Sequence, residues 1–184
     1  MSIEVKNWID KGGIEFLRKI GIERNDVVLD FGCGEGHYTI PLAKVVGESG
    51  KVYALDKDRY ALGKLRETAE RESLNNIEII PAETRIPLKD NSVNVVLCYD
   101  VIHYEKNRER IYKEVYRVLH KDGLFSVYPK HYKDDYPLME LASLSLEDII
   151  EEIEVVGFTL KKRMFLNCLH DDYMKECQIL NFRK

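Results

Sequence analysis

The feature that most constrains this chain is an apolar segment of strand length that is followed directly by closely spaced glycines. Residues 27–31 (VVLDF) are almost entirely apolar, and Gly32, Gly34 and Gly36 follow them at once. Glycine lets a strand turn sharply and lets a ligand approach the backbone. A helical pattern begins near His37, and the unpaired N–H groups at a helix start favour a carboxylate or a phosphate. The segment therefore predicts a strand–turn–helix unit with a ligand at the turn.

Apolar segments of strand length alternate with segments of helical period along the chain. Strands joined by helices of about a dozen residues pair in parallel with right-handed crossovers. The last two strands have too little chain between them for a crossover, so they are predicted to form an antiparallel hairpin. The predicted fold class is α/β, with a three-layer, doubly wound (Rossmann-like), mostly parallel seven-stranded sheet and an antiparallel C-terminal hairpin. The predicted strands are 27–31, 52–56, 77–80, 93–98, 124–128, 158–165 and 176–182.

A carboxylate at the end of the second predicted strand indicates which ligand the turn holds. Asp56 follows Gly34 by 22 residues, and an acid at that place accepts hydrogen bonds from the hydroxyls of an adenosine ribose. A dinucleotide site would need Gly-x-Gly-x-x-Gly, and His37 stands where the third glycine belongs. Asp30 adds a second negative charge, which repels a pyrophosphate and attracts an amino group. These charges favour S-adenosylmethionine over a nicotinamide dinucleotide.

Composition argues against several other classes of protein. Lys and Arg number 28 against 32 Asp and Glu, so the net charge of −4 lacks the positive excess expected of a nucleic-acid binder. No apolar run approaches the roughly 20 residues that cross a bilayer, and the N-terminus does not resemble a signal peptide. We therefore expect a cytoplasmic protein that does not bind membranes. Its four widely spaced cysteines are expected to be reduced thiols.

Three segments resemble the motifs of the class I S-adenosylmethionine-dependent methyltransferases. Residues 30–43 (DFGCGEGHYTIPLA) resemble the first motif, 51–56 (KVYALD) the acidic second motif, and 82–93 the stretch that wraps the adenine. The resemblance covers about residues 13–130, and its detailed pattern is similar to the UbiE-type small-molecule branch. Asn94 departs from the pattern, because the family usually has Asp at the start of the fourth strand.

The resemblance implies a set of cofactor-binding residues at the carboxyl ends of the first four strands. It places Asp56 on the ribose hydroxyls, as the position of this acid already indicates, and Asp30 near the amino group of the methionine part. The methionine part and the sulfonium are assigned to Gly32, Cys33, Gly34, Tyr38 and Tyr99, and the adenine to Lys57, Ala82 and Glu83.

Candidates for catalysis follow the fourth and fifth strands, at the edge where the acceptor must enter. His103 is the predicted proton acceptor, because the unperturbed pKa of histidine lies near neutrality; alternatively, it packs beneath the cofactor. Tyr104 is predicted to line the acceptor pocket. His131 lies in a polar and aromatic loop and is a second candidate for acid–base catalysis. His120 at a helix end and His170 at the hairpin turn are expected to take no part in chemistry.

The predicted organisation is a single methyltransferase domain over residues 1–184. Residues 1–21 form a leading helix, 27–130 a cofactor-binding half, and 131–184 an acceptor-side loop, helix and terminal hairpin. Trp8 and the leading helix form a lid over the cofactor in one hypothesis, which a location far from the strand ends would exclude.

The predicted function is methyl transfer to a small-molecule acceptor, because the chain has no extra domain that would recognise a large RNA or protein. A homodimer could complete the pocket. Methylases of adenine or of glutamine amides carry Asn/Asp-Pro-Pro-Tyr after the fourth strand, and this chain has none there. Asp100 alone is thin support for a metal ion, so none is predicted. Two alternatives stay open: a non-catalytic subunit or sensor that binds the cofactor or its demethylated product, and a methyltransferase that acts on RNA or protein with a partner.

Overall fold

The computed structural model describes residues 2–82, 85–136 and 141–184 and contains one seven-stranded sheet. Its strand order is β3-β2-β1-β4-β5-β7-β6. Neighbours among β1 to β5 pair in parallel, and β7 is antiparallel to both β5 and β6. The predicted fold class is therefore confirmed. The strands are β1 (Val27–Phe31), β2 (Lys51–Asp56), β3 (Ile77–Pro81), β4 (Val93–Tyr99), β5 (Leu119–Tyr128), β6 (Thr159–His170) and β7 (Tyr173–Arg183).

Helices cover both faces of the sheet and give it three layers. Neighbouring residues of β1 belong to different hydrophobic clusters, with Val28 in the cluster that holds the early helices and Leu29 in the one that holds the late helices. Within the described ranges, no helix is long and apolar enough to cross a membrane. The helices are α1 (Ile3–Asn7), α2 (Gly13–Ile20), α3 (Thr39–Val46), α4 (Arg59–Arg71), α5 (Arg108–Val118) and α6 (Leu146–Val155), with a π-helical turn at Trp8–Gly12 and a 3-10 turn at Ile102–Tyr104.

Three helix ends form where the sequence provides capping residues. Gly21 ends α2 in the left-handed region, with φ at 106°. Asp58 accepts hydrogen bonds from two backbone N–H groups at the start of α4. Ser145 and Asp148 form a reciprocal capping box at the start of α6. Each cap therefore stabilises the helix end at which it stands.

The start of β5 differs from the prediction. The helical pattern places Leu119 on α5, but α5 ends at Val118 and β5 begins at Leu119. Leu119 pairs with Val93 at the start of β4, so it belongs to the sheet instead of the last helical turn. His120 is consequently an exposed strand residue, and the predicted interaction with a helix end is wrong.

The leading helical segment packs at the carboxyl edge of the sheet. The indole Nε1 of Trp8 donates a hydrogen bond to the carbonyl of His37, at 3.0 Å. Glu4 accepts a hydrogen bond from the backbone N–H of Met174, beside the turn between β6 and β7. The segment therefore lies next to residues 32–36, here called the glycine turn, and next to the turn between β6 and β7. The lid hypothesis stays a prediction.

Two of the four cysteines are paired, so the prediction of four reduced thiols is wrong. Cys168 on β6 and Cys177 on β7 form a disulfide, with Cα atoms 5.9 Å apart. The tight turn after His170 folds the two strands back on each other, which brings these cysteines within ordinary disulfide reach. Cys33 and Cys98 are buried and free.

This pairing predicts the thiol count of protein purified without reductant. Denatured chain should give two free thiols, from Cys33 and Cys98, and four after reduction. Cys168→Ser should give three before reduction, because Cys177 loses its partner. Titration with a thiol-specific chromophore checks the count, and four thiols in the unmodified chain before reduction would contradict the pairing.

Candidate functional site

Two cavities meet at the carboxyl edge of the sheet, and both are lined by Gly32, Gly34 and Asp100. The first, here called the β1–β2 cavity, has a volume of about 250 Å³. The second, the hairpin cavity, has a volume of about 360 Å³. The β1–β2 cavity is further lined by Phe31, Leu55, Asp56, Lys57, Ala82, Val101, Tyr104 and Glu105, and the hairpin cavity by Cys33, Glu35, His37, Tyr38, Tyr99, Tyr128, Leu169, His170, Asp171 and Asp172.

The glycine turn is held against the end of β2 by its own backbone. The N–H groups of Gly32 and Cys33 donate to the carbonyl of Leu55, at 2.8 and 3.1 Å. Gly32 has a φ of 77°, and a Cβ there would collide with the side chain of Val101. Gly34 has a φ of 52°, but a Cβ there would meet nothing within 4 Å. The turn therefore requires glycine for its conformation and presents open backbone to the two cavities.

Asp56 is positioned at the mouth of the β1–β2 cavity by two hydrogen bonds. Its Oδ2 accepts from the N–H of Gly34 at 2.8 Å, and its Oδ1 accepts from the N–H of Asp58 at 2.9 Å. A carboxylate has about four acceptor sites, so the oriented group can still accept hydrogen bonds from ligand hydroxyls. Lys57 and Ala82, the residues assigned to the adenine, line the same cavity, and their contact with it stays a prediction. Glu83 lies outside the described residues.

Asp30 lies behind the turn instead of on a cavity wall. Its side chain is 3% exposed, and its Oδ2 accepts a hydrogen bond from the hydroxyl of Thr39 at 2.6 Å. Burial raises the pKa of Asp30 to about 7, and the negative charge of Asp56 adds to the rise. This carboxyl group therefore titrates near neutral pH, where a nearby cation would favour its ionised form.

Three tyrosines, Tyr38, Tyr99 and Tyr128, line the hairpin cavity. Tyr38 and Tyr99 pack edge to face, with ring centroids 5.0 Å apart. The hydroxyl of Tyr38 donates to the carbonyl of Leu169, and that of Tyr99 shares a hydrogen bond with Ser126. Tyr128 differs, because its buried hydroxyl finds no hydrogen-bond partner among the described residues. Burial raises the pKa of each phenol, so all three are neutral at physiological pH.

A carboxylate and three imidazoles gather where the two cavities meet. Asp100 follows β4, and its Oδ2 lies 2.9 Å from Nδ1 of His170. His103 Nδ1 lies 3.5 Å from Asp100 Oδ1, and the His131 ring centroid lies 4.7 Å from that of His103. Burial opposes ionisation of Asp100, but the hydrogen bond from His170 and the nearby imidazoles hold its pKa below the usual range. Asp100 is therefore a stable anion.

His170 is the site residue that sequence reasoning missed. It is 7% exposed, lines the hairpin cavity and contacts Asp100, although its position at a hairpin turn suggested no chemical role. The direction of β6 is the signal that could have found it. Because β7 is antiparallel to both β5 and β6, β6 runs parallel to β5, and its carboxyl end reaches the edge that carries the site.

The two predicted catalytic residues lie side by side, with ring centroids 3.8 Å apart, but they differ in exposure. His103 is fully buried and is not among the described residues that line either cavity. Tyr104 is 61% exposed and lines the β1–β2 cavity, on the same side as Asp56. The roles predicted for these two residues stay predictions.

Comparisons with known proteins agree with this geometry. A family profile described as a methyltransferase domain matches residues 22–172. A probable cobalt-precorrin-6B C(15)-methyltransferase of Saccharolobus solfataricus is 44% identical over 68 residues, which are 36% of this chain and 34% of that protein. A demethylmenaquinone methyltransferase of Lactobacillus johnsonii is 32% identical over 111 residues, 59% of this chain and 46% of that protein. The chain therefore spans less than half the length of these two curated relatives.

The similarity to solved structures extends over almost the whole chain. A crystal structure of an S-adenosylmethionine-dependent methyltransferase from Aquifex aeolicus superposes with a TM-score of 0.78 at 24% identity. The superposition covers 97% of this chain and 96% of that one. At this level of identity, the likeness is evidence for the fold.

The position of Asp56 predicts weaker nucleoside binding when its carboxylate is removed. We expect Asp56→Ala to weaken binding of S-adenosylmethionine by roughly 1.5–3 kcal/mol, the scale of charge-assisted hydrogen bonds. Isothermal titration calorimetry measures the change. Asp58→Asn is the matched control, because Asn keeps the helix cap and Asp58 does not line the cavity. An unchanged dissociation constant in Asp56→Ala would contradict the assigned role.

The raised pKa of Asp30 predicts a pH-dependent stability. The folded chain holds this proton up to about pH 7, whereas the unfolded chain releases it near pH 4, so stability is lost as the pH rises through that window. Asp30→Asn removes this dependence while keeping an acceptor for Thr39. Urea unfolding without cofactor measures the free energy of unfolding at pH 4.5 and at pH 8. Between these pH values, it should fall by about 3 kcal/mol more in the unmodified chain than in Asp30→Asn. Parallel losses in both proteins would refute the assignment.

Proposed function

Because this chain belongs to the class I S-adenosylmethionine-dependent methyltransferases, we propose that it transfers the methyl group of that donor to a small molecule bound in the hairpin cavity. The observation that carries the proposal is the junction of the two cavities at Gly32, Gly34 and Asp100. The β1–β2 cavity then holds the nucleoside, and the methionine part reaches into the hairpin cavity, where the acceptor binds. A volume of about 360 Å³ is at the small end of the range typical of small-molecule sites.

The residues present fit S-adenosylmethionine, which supplies an activated methyl group on a sulfonium. Gly34 offers open backbone beside an oriented carboxylate, Asp56. In our proposal Asp56 binds the ribose hydroxyls, and Lys57 and Ala82 flank the adenine. In the same proposal Gly32, Cys33, Tyr38 and Tyr99 contact the methionine part and the sulfonium. Asp30, buried behind the turn, lies near the amino group and acts on it through its charge.

We assign the proton transfer to His170, with His103 as the second candidate. Asp100 Oδ2 lies 2.9 Å from Nδ1 of His170, and this contact holds the orientation of the imidazole. His170 also lines the hairpin cavity, whereas His103 is not among the described residues that line either cavity. The Tyr128 hydroxyl, without a partner among the described residues, is available to bind a polar group of the acceptor. An acceptor with an ionisable proton fits these groups.

The relatives support a small acceptor. Their names give a cobalt-precorrin and demethylmenaquinone as acceptors, which are small molecules and not polymers. The identity of the acceptor, a homodimeric assembly, the single-domain organisation and a cytoplasmic location remain predictions. Only a measurement of methyl transfer distinguishes the enzyme from a non-catalytic subunit that binds the cofactor.

Methyl transfer from labelled S-adenosylmethionine to a metabolite pool tests the proposal. We expect labelled small molecules, and His170→Ala should lower the transfer rate by about 10²–10⁴-fold, the usual contribution of an acid–base group. Affinity for S-adenosylmethionine should change much less, because His170 does not line the β1–β2 cavity. The same assay on His103→Ala tests the sequence-based prediction.

His120→Ala is the matched control for both variants, because His120 is exposed and lines neither cavity. Equal losses of affinity and rate in His170→Ala would assign that residue to the cofactor wall. Tight cofactor binding without transfer to any small molecule would favour the non-catalytic subunit.

A further inference from the structure

Asp100, His103 and His131 form a compact group of metal-ligating side chains, here called the histidine cluster. One potential ligand atom from each residue lies within 4.8 Å of the others. Asp100 and His103 follow β4, and His131 follows β5. Both imidazoles are buried. The cluster therefore joins two separate loops at a point that adjoins both cavities.

We propose that the histidine cluster binds one divalent transition-metal ion through Asp100 Oδ1 and the two imidazoles. Asp100 Oδ1 is buried and accepts no hydrogen bond from any residue that the structure describes. A buried carboxylate oxygen is costly to leave without a donor or a cation. An ion at this point would supply the missing positive charge.

The distances in the cluster fit two ligands of one ion better than a direct hydrogen bond. Asp100 Oδ1 lies 3.5 Å from Nδ1 of His103. Ligands at about 2.0–2.1 Å from a tetrahedral ion lie roughly 3.3 Å apart. The other oxygen of Asp100 lies 2.9 Å from His170, which is the distance of a direct contact. His170 therefore acts as a positioning residue that holds Asp100 with its Oδ1 toward the cluster, as outer-shell partners of metal ligands do.

The backbone of two ligands is held in an uncommon conformation. Asp100 has a φ of 58° and His131 a φ of 60°, both in the left-handed region. Such conformations cost free energy in residues other than glycine and gather at functional sites. Here each one turns a side chain of the loop after a strand toward the same point.

The donor set indicates the class of ion. Imidazole and carboxylate ligands suit Zn²⁺, Fe²⁺, Co²⁺ and Ni²⁺, whereas Mg²⁺ and Ca²⁺ prefer oxygen ligands alone. Three protein ligands leave at least one coordination position open for water or a further ligand. A second group, Asp100 with His170 and Asp171, is less suitable, because Asp171 is 73% exposed and His170 already contacts Asp100 directly.

Metal titration of untagged, chelator-stripped protein tests the proposal without any methyl transfer. We expect one equivalent of Co²⁺ or Zn²⁺ to bind, with Co²⁺ d–d absorption typical of nitrogen and oxygen ligands and no thiolate band. His131→Ala should weaken Zn²⁺ binding at least about 100-fold, and His170→Ala by about 10–100-fold with a shifted Co²⁺ spectrum. Zn²⁺ should raise the melting temperature of the unmodified chain and not that of His131→Ala.

His120→Ala and Asp171→Asn are the controls, and both should bind Zn²⁺ as the unmodified chain does. Circular dichroism in the presence of chelator shows whether each variant folds, and His131→Gln replaces His131→Ala if the latter does not. Absence of stoichiometric binding to the unmodified chain would overturn the proposal. So would a loss of affinity in Asp171→Asn with none in His131→Ala. Stoichiometric metal binding without methyl transfer would count against the proposed function alone.

Discussion

The site depends on the hydrogen bonds that tie the glycine turn to the end of β2. The turn donates two backbone N–H groups to Leu55 and a third to the carboxylate of Asp56. These bonds fix the distance between the open backbone at Gly34 and the acid that binds the ribose hydroxyls in our proposal. Because Gly32 packs against Val101, the same turn also fixes the loop after β4, where Asp100 begins the second half of the site.

The antiparallel strand β7 lets the end of β6 form the second wall of the site. Since β7 lies between β5 and β6 and is antiparallel to both, the carboxyl end of β6 returns to the edge that carries the turn. His170 and Leu169 thereby face the loop after β4, and Tyr38 bonds across to Leu169. A sheet with only parallel strands would leave this side of the cavity open. The hairpin therefore adds a second wall to the edge that carries the glycine turn.

Sequence reasoning succeeded where the chemistry is local. Asp56, Lys57 and Ala82 line one cavity, and each stands at or directly after a strand end whose position the apolar pattern shows. Asn94 departs from the family pattern, and its side chain accepts a hydrogen bond from the N–H of Val27, which is a structural role as expected. Sequence reasoning missed the position of His170 beside Asp100 and wrongly predicted reduced thiols at Cys168 and Cys177, because both features depend on hairpin register and strand direction.

Local sequence patterns were sufficient to predict the strand–turn–helix unit and the acid at position 56. They also predicted the alternation of strands and helices that implies a doubly wound sheet. Each of these follows from the conformational preferences of residues that are close in sequence. The grouping of Asp100, His103, His131 and His170 required the folded coordinates. These residues span 71 positions of the chain. The pairing of β4 with β5, and of β7 with β5 and β6, places their loops at one point. No local preference encodes such a contact between distant segments.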